Sequence, residues 1–328
     1  MVVAGIDVGS KSLVVAIDKT GKPGRPETFD NSPQGHRQVV KALRGAKVDR
    51  VILEATGTYH LDLAITLDEA GLAVMVVNPK ASKRYAEARM SRTKTDAVDA
   101  ALLCGFGRHM PFEPWHCPPA HVLAVRACSR LLAGLNQQRT QAKNRLHAFG
   151  QSRATPSFVL DEIRQGIEQL DDQIRRLEAK TLHLIEAHAS LLAIYNRLLS
   201  VKGIGPKSAI QLMGELLVLP EDMAAKQWVA MAGLDPREHR SGSSVEKKAR
   251  ISKAGNKYLR MALYMPALSA LRHEPHVRAY YLHLIEDRGL KKIQAICAVM
   301  RKLLHSIHGM LRNGTDFDGS RFYRDSVA

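Results

Sequence analysis

Continuous apolar runs in the first 80 residues predict the short strands of a sheet. Residues 2–7 form an apolar run that ends in Asp7, and residues 13–17 form a second run after a short polar turn. This pair predicts a hairpin with a carboxylate at its mouth. Residues 50–54 and 73–77 are two further apolar runs that predict buried strands. The N-terminal region therefore contains most of the strand signals of the chain.

Helical patterns fill the gaps between these strands, at residues 34–46, 59–70 and 95–107. Strands that alternate with helices favour a mixed α/β sheet with helices packed on it. From about residue 120 the strand signals disappear, so the second half of the chain is expected to be mainly α. Prolines punctuate the helical pattern after residue 196, at Pro220, Pro236, Pro266 and Pro275.

One stretch between the two halves has the spacing of a coiled coil. Apolar residues alternate in steps of four and three, with Thr181 at the position the series skips: Ile163, Ile167, Leu170, Ile174, Leu177 and Leu184. This seam fits a helix packed on its own domain or a dimer contact, and the pattern leaves both open. The predicted organisation is a mixed-sheet domain at 1–150, a coiled-coil-like helical spacer at 151–195 and a helical domain at 196–328.

The composition adds a strong positive charge to this picture. The 328 residues include 48 Lys and Arg against 32 Asp and Glu, a formal net charge of +16. The charge lies in two lobes, because the three segments carry +8, −2 and +10 in chain order. Such an imbalance indicates a polyanion as partner. Aromatic residues are only 5% of the chain, so nucleic-acid contacts are expected to be mostly with backbone phosphates.

The four cysteines and the absence of a long apolar run bear on location. Cys104, Cys117, Cys128 and Cys297 show no disulfide or C-x-x-C spacing, which is typical of reduced thiols in a cytoplasmic protein. No apolar run of about 18 residues is present, so no membrane partner is expected. We expect a cytoplasmic, nucleoid-associated protein.

Four carboxylates are the candidates for metal chemistry. Asp7 and Glu54 lie at or near strand ends, and Asp96 and Asp99 are three residues apart, which places them on one face of a helix. Taken singly, each fits a solvated surface position. Together they form the type of oxygen-ligand set that Mg²⁺ uses, and two such ions can serve a phosphodiester displacement.

A glycine-containing turn is a candidate phosphate contact. Gly203 and Gly205 bracket one apolar residue ahead of a helical run, and the lysines Lys202 and Lys207 flank them. The pattern resembles the hairpin of helix-hairpin-helix motifs, whose backbone N–H groups hold a phosphate. A plain turn between two helices fits it as well.

A serine lies in the most basic stretch of the chain. Ser241 is followed by Gly242, Ser243 and Ser244, and the stretch around them is rich in cations, among them Arg237, Arg240, Lys247, Lys248, Arg250 and Lys253. A serine in this field would face a bound phosphate, where the cations could stabilise negative charge in a transition state. A solvated basic loop that only binds the DNA backbone is the alternative.

Several motifs in order give the chain a family resemblance. They are Gly5-Ile6-Asp7, Glu54-Ala55-Thr56-Gly57-Thr58-Tyr59, Asn78-Pro79, Lys94-Thr95-Asp96-Ala97-Val98-Asp99-Ala100, Gly203-Ile204-Gly205, Ala232-Gly233-Leu234-Asp235-Pro236, Ser241-Gly242-Ser243-Ser244 and Ser252-Lys253-Ala254-Gly255-Asn256. With them the chain resembles the DEDD-type transposases of bacterial insertion sequences, also described as bridge-RNA-guided recombinases. The resemblance covers nearly the whole chain.

This resemblance implies a fold, a cofactor, partners and residue roles. It implies a RuvC-like, ribonuclease-H-type N-terminal domain in which Asp7, Glu54, Asp96 and Asp99 bind Mg²⁺, and a helical transposase domain in which Ser241 is the nucleophile that becomes joined to DNA. It further implies a composite active site across subunits of a homodimer or tetramer. Donor and target DNA would be selected by a structured bridge RNA.

Three other functions are compatible with the same residues. A RuvC-like nuclease or junction resolvase would hydrolyse DNA with the carboxylates alone, using water as nucleophile. A non-catalytic nucleic-acid-binding protein would use only the basic lobes. An actin-like ATPase fits the opening Asp7-Val8-Gly9, but no second phosphate loop is evident.

Overall fold

The computed structural model describes residues 1–241 and 245–323, and it gives only the backbone for residues 238–241 and 245–249. The chain forms two compact units, Met1–Cys117 and Pro118–Ala328. In chain order, the N-terminal unit contains β1 (Val3–Val8), β2 (Ser12–Asp18), β3 (Glu27–Asp30), α1 (Pro33–Gly45), β4 (Arg50–Glu54), α2 (Leu61–Glu69), β5 (Val74–Val77), α3 (Pro79–Ala88) and α4 (Asp96–His109).

The five strands of this unit form one mixed sheet in the order β3-β2-β1-β4-β5. The first three strands are antiparallel neighbours, whereas β4 runs parallel to β1 on one side and to β5 on the other. The N-terminal strands and helices predicted from the sequence are therefore present. The predicted ribonuclease-H-type, RuvC-like mixed sheet is confirmed, and β3 and α3 are additions that the sequence pattern did not reveal.

The central strand β1 buries both of its faces. Ala4 and Ile6 pack with the apolar residues of α1 and α2, whereas Val3 packs with those of α3 and α4 on the opposite face. Because side chains alternate along a strand, Gly5 and Asp7 share the face of Val3. Asp7 therefore faces the layer that contains α4.

Helix α4 lies directly on the backbone of β1. A Cβ atom at Gly5 would stand 2.2 Å from the carbonyl oxygen of Ala100 and 2.6 Å from the amide nitrogen of Cys104. Only the hydrogen of glycine fits between this strand and this helix. The close approach brings the first turn of α4 to the end of β1 at which Asp7 lies.

The C-terminal unit is mainly helical and has its own apolar core. In chain order it contains α5 (Ala120–Gly150), α6 (Ser157–Glu186), α7 (Ala189–Ser200), α8 (Pro206–Leu216), α9 (Ala225–Ala232), β6 (Pro236–Ser241), β7 (Val245–Ile251), α10 (Lys257–His273), α11 (Pro275–Glu286), α12 (Lys292–Asn313) and α13 (Gly319–Phe322). Among the helices that the structure describes, none has the length and apolar character needed to cross a membrane.

The coiled-coil-like segment is the long helix α6, which pairs with α5 of the same chain. Ile167, Ile174 and Thr181 are buried at the predicted seam, and Arg139 on α5 donates a 2.8 Å hydrogen bond to Asp171 on α6. Of the two alternatives left open by the sequence, the structure shows the seam packed within its own unit.

Helix α5 makes the two structural units differ from the predicted domains. It packs on α6 and α8, so the structural division falls after Cys117, whereas the sequence places a domain boundary at residue 150. The sequence pattern shows that residues 120–150 form a helix but not which core their apolar face joins. This division into structural units does not test the predicted functional domains, so their limits stay a prediction.

The second half is mainly α, as predicted, but two details differ from the sequence pattern. Two strands occur after residue 120, where β6 and β7 form an antiparallel hairpin. Their residues are largely charged and lack the alternation that reveals a half-buried strand. Pro266 also does not end a helix: it is buried inside α10.

Candidate active site

Asp7 is the most perturbed carboxylate of the predicted tetrad. It lies one residue before the end of β1, half-buried. Burial, which is the largest cause, and the negative charges of Asp96, Asp99 and Glu54, in that order, together raise the pKa of the Asp7 carboxyl from 3.8 to about 6. The other three predicted residues are thus close enough to Asp7 to act on it electrostatically.

Glu54 reaches the same place from the neighbouring strand. It is the last residue of β4 and lies opposite Val77 of β5. Since β1 and β4 are parallel, their carboxyl ends meet at one edge of the sheet, and Glu54 shares the sheet face of Ile52, which packs with α3 and α4. Its Oε2 accepts a 2.5 Å hydrogen bond from the Ser82 hydroxyl of α3. Ser82 was not among the predicted site residues.

The other two carboxylates occupy the first turn of α4. Asp96 is its first residue, and Thr95 caps the helix by accepting a 3.3 Å hydrogen bond from the Val98 amide. Burial raises the pKa of Asp99, an effect that Lys94 opposes and Asp96 increases. A helix N-terminus stabilises negative charge, so this position tolerates two carboxylates three residues apart.

The four side chains fit a divalent cation by their chemistry. They supply only carboxylate oxygens, the ligands that Mg²⁺ prefers, and their mutual repulsion at Asp7 is the type of strain that a cation would relieve. Within the described parts of the chain, however, no three His, Cys, Asp or Glu side chains stand close enough to enclose an ion as they are.

The predicted nucleophile lies on the hairpin of the C-terminal unit. Ser241 is the last residue of β6 and pairs with Val245, the first residue of β7. Its side chain, like those of Arg240, Lys247 and Lys248, lies outside what the structure describes. Gly242, Ser243 and Ser244 lie wholly outside the described residues. The assignment of Ser241 as nucleophile stays a prediction, and the sequence pattern did not reveal the two strands on either side of it.

The base of this hairpin is fastened to the end of α9 and the start of α10. Ser252 donates a 2.5 Å hydrogen bond from its hydroxyl to Asp235 and a 2.8 Å bond from its amide to the Asp235 carbonyl. The Asn256 amide donates to the carbonyl of Met231 at 2.6 Å. A Cβ at Gly255 would lie 2.2 Å from that same carbonyl oxygen. These contacts fix where the two strands begin and end.

A buried ion pair lies beside this base. Glu215 on α8 is 1% exposed and accepts hydrogen bonds from both Nε and one terminal nitrogen of Arg130, at 2.8 and 3.1 Å. The Asn256 side chain donates to the same carboxylate at 2.5 Å and caps α10 through its oxygen. A buried carboxylate with three donors is fully compensated, so this cluster is structural.

The other predicted nucleic-acid contacts fall into two groups in the C-terminal unit. Arg237 and Arg250 are exposed and pair across the hairpin, and Lys253 follows it with an exposed side chain. The second group lies at the turn between α7 and α8, where Lys202, Gly205 and Lys207 are exposed.

The glycine turn also has a structural role. Gly203 has a φ of 115°, and a Cβ there would stand 2.6 Å from the Ala270 amide nitrogen of α10. The Lys207 ammonium lies 3.0 Å from a Glu178 oxygen, and this ion pair offsets part of the positive charge of the lysine. Packing explains the first glycine, and the phosphate contact stays a prediction.

Comparison with known proteins identifies the family. Two family models match, one described as transposase over residues 4–150 and one described as transposase IS116/IS110/IS902 family over residues 195–282. A pilin gene-inverting protein of Moraxella bovis is 32% identical over 298 residues, which are 89% of this chain and 90% of that protein. The chain belongs to the IS116/IS110/IS902 family of transposases. The family predicted from the motifs is confirmed.

Two further similarities complete the comparison. A probable family 20 transposase of Pseudomonas aeruginosa is 28% identical to this transposase over 68% of the chain and 71% of its own length. Among solved structures, RuvC of Thermus thermophilus in complex with a Holliday junction substrate covers 35% of this chain and 98% of its own, with 21% identity and a TM-score of 0.28.

Family membership gives the coarse function. The transposase is an enzyme that cuts and rejoins DNA, and DNA is accordingly its substrate. The DEDD carboxylates imply a divalent cation. The predicted location, the cytoplasm and the nucleoid, stays a prediction.

Proposed function

We propose that this transposase recombines DNA through a covalent serine–DNA intermediate, with Mg²⁺ held by Asp7, Glu54, Asp96 and Asp99. The observation that carries the proposal is the grouping of three carboxylates, those of Glu54, Asp96 and Asp99, around the half-buried Asp7, where burial and their negative charge together raise the pKa of the Asp7 carboxyl to about 6. Like charges grouped in this way destabilise the fold, and such groups are typical of sites that bind a ligand.

The carboxylates would act through the cation that they hold. A bound divalent cation neutralises charge on a phosphodiester and stabilises its attacking and leaving oxygens. Asp7 and Glu54 come from strand ends of a rigid sheet, and Asp96 and Asp99 from a capped helix that lies on that sheet. A ligand set built on such elements holds its geometry better than one built on loops.

Ser241 would supply the nucleophile. Attack of its hydroxyl oxygen on phosphorus replaces one phosphodiester bond of DNA with a serine ester and releases a DNA hydroxyl; attack by the hydroxyl of the exchanged strand reverses the step and frees the serine. The released DNA hydroxyl takes up the proton that the serine loses, and the attacking hydroxyl of the exchanged strand supplies the proton that the serine regains. Both steps are transesterifications, so the exchange consumes no water. Arg237, Arg240, Lys247, Lys248, Arg250 and Lys253 would bind the surrounding phosphates.

The partners of the proposal come from the family resemblance. The Moraxella bovis relative is named for inverting a pilin gene, and we propose that this transposase likewise rearranges DNA between two specific sites. A structured bridge RNA would select the donor and target DNA, and a homodimer or tetramer would be the active assembly. Protein purified with its flanking non-coding transcript is expected to retain a defined RNA; RNA-free protein with full sequence-specific activity would refute the guide.

A covalent-trapping assay tests the chemistry. The protein is expressed with its flanking non-coding RNA and mixed with labelled junction DNA, with Mg²⁺ present or chelated. We expect a denaturant-resistant protein–DNA adduct for wild type and for Ser91→Ala, an exposed serine outside the site. Ser241→Ala and Asp7→Ala should give none, although Ser241→Ala should still bind DNA. If DNA is cleaved without forming an adduct, and cleavage persists in Ser241→Ala, the reaction is hydrolysis instead.

A further inference from the structure

Helix α3 contacts both β4, which carries Glu54, and α4, which carries Asp96 and Asp99. It begins directly after β5, where Asn78 caps it by accepting a 2.9 Å hydrogen bond from the Lys80 amide. Its residues Ser82 and Tyr85 are three apart, so they project from the same face of the helix. One of them contacts β4 and the other contacts α4.

Ser82 makes the contact with β4. Its hydroxyl oxygen lies 2.5 Å from Glu54 Oε2 and 3.0 Å from the carbonyl oxygen of Pro79. A hydroxyl has a single hydrogen to donate, and the shorter contact, to a charged acceptor, is the stronger of the two. The hydrogen bond to Glu54 is therefore the stronger of the two that the hydroxyl makes.

Tyr85 makes the contact with α4. Its hydroxyl lies 3.0 Å from His109 Nδ1, and its ring meets Phe106 edge-on with centroids 5.5 Å apart. A Cβ at Gly105 would stand 2.9 Å from the tyrosine hydroxyl, so glycine makes room for this approach. These contacts hold α3, and with it Ser82, in a fixed place relative to the helix of Asp96 and Asp99.

The two oxygens of Glu54 are thereby distinguished. Oε2 is held by Ser82, while Oε1 accepts no hydrogen bond from the side chains and backbone that the structure describes. A carboxylate fixed through one oxygen presents the other in a defined direction, which is how outer-shell hydrogen bonds orient metal ligands. Without Ser82 the Glu54 side chain would be free to change rotamer.

We propose that Ser82 is a positioning residue that orients Glu54 for the divalent cation of this site. The inference rests on the proposed function, because it needs the tetrad to bind a cation. The proposal assigns to α3 a role that no sequence motif indicates. This helix links Glu54 on the sheet to the helix that carries Asp96 and Asp99.

The test measures Mn²⁺ binding to the full-length protein without DNA, by calorimetry and by the loss of free-ion signal in electron paramagnetic resonance. Ser82→Ala should weaken Mn²⁺ affinity by about 10- to 100-fold, the range typical for loss of such a hydrogen bond. Ser82→Thr, which keeps the hydroxyl, should bind within about threefold of wild type. Ser91→Ala, which removes an exposed hydroxyl that donates to the Thr93 carbonyl rather than to a carboxylate, is the matched control and should bind as wild type.

A second measurement separates orientation from folding. The unfolding temperature of the cation-free protein should be nearly the same for wild type, Ser82→Ala and Ser82→Thr, whereas the increase caused by added Mn²⁺ should shrink only in Ser82→Ala. If Ser82→Ala fails to fold, Ser82→Cys replaces it, since a thiol has a similar size but is a weak donor.

Glu54→Gln distinguishes the two proposals. Wild-type affinity in Ser82→Ala with lost affinity in Glu54→Gln would overturn the role of Ser82 and leave the tetrad intact. Equal loss in Ser82→Thr and Ser82→Ala would also count against the hydrogen bond. Wild-type affinity in Glu54→Gln, or no Mn²⁺ binding by wild type, would overturn the proposed cation site itself.

Discussion

At the scale of single residues, the free energy cost of the site is concentrated in Asp7. Its carboxyl is half-buried and faces three like charges, so the folded state holds a proton there more strongly than the unfolded chain does. Asp7 is therefore destabilising when ionised: the penalty is absent at low pH, develops as the pH rises above about 4, and is complete above about 6.

This sign leads to a prediction for Asp7→Asn. In the presence of a chelator at pH 7.5, the variant should be more stable than wild type by about 1 to 2 kcal/mol, the free energy equivalent of the pKa shift reduced for the solvent screening of a half-exposed group. The gain should shrink as the pH falls from 6 towards 4, because wild-type Asp7 then becomes protonated. Chemical denaturation across this pH range measures it, and a pH-independent difference would contradict the account.

At the scale of elements, the contact of α4 with β1 determines the site. The sequence shows that Asp96 and Asp99 share a helix face and that Asp7 ends a strand. It does not show that this helix lies on this strand, because that depends on the missing side chain of Gly5. Ser82 escaped prediction for a similar reason: a serine in a short polar helix carries no periodic signal, and only the folded chain places it against Glu54.

Gly5→Ala tests the contact between α4 and β1. The added methyl group would overlap the backbone of α4, so the helix must move away, at a cost of about 1 to 3 kcal/mol. Thermal unfolding should show the loss, and Mn²⁺ affinity should fall with it. Gly134→Ala on α5, where a Cβ meets nothing within 4 Å, is the control and should be neutral or slightly stabilising.

The second element that matters is the β6–β7 hairpin, and its base leads to another prediction. Ser252→Ala removes the hydroxyl that holds Asp235 at 2.5 Å, so the strands should be less firmly oriented. We expect adduct formation to slow by about tenfold, the equivalent of one hydrogen bond of about 1.4 kcal/mol to a charged group. DNA affinity should change little, and Ser252→Thr should restore the rate. A parallel loss of affinity and rate would instead indicate that Ser252 contacts DNA.

At the scale of the whole molecule, charge and secondary-structure pattern could be predicted from the sequence, but the division into units could not. The mixed sheet, the long helix and the family followed from apolar runs and ordered motifs. The assignment of α5 to the C-terminal unit depends on which core buries Val125 and Leu132. The periodic pattern shows that these residues share an apolar face but does not show which core buries that face. The hairpin was missed because its strands are charged rather than apolar.

The net charge of +16 predicts steep salt dependence of DNA binding. Each phosphate neutralised contributes a slope of about −0.9 to a plot of log affinity against log salt concentration. Replacing both Arg237 and Arg250 with alanine should make this slope shallower by about 2. Replacing Arg164 and Arg175, which are paired with Asp161 and Asp172 on α6, removes the same charge and should change it less. Equal effects would mean that net charge alone governs binding.

The glycine at position 5 also shapes what mutational surveys of this transposase would find. A scan of every substitution would find that Gly5 tolerates replacement as poorly as a metal ligand does. Gly5 has no side chain that could bind a metal or react. An osmolyte distinguishes the two causes, because it favours compact states. Added osmolyte should restore the function of variants whose fold is destabilised at Gly5. It cannot restore the function of variants that lack the Asp7 carboxylate.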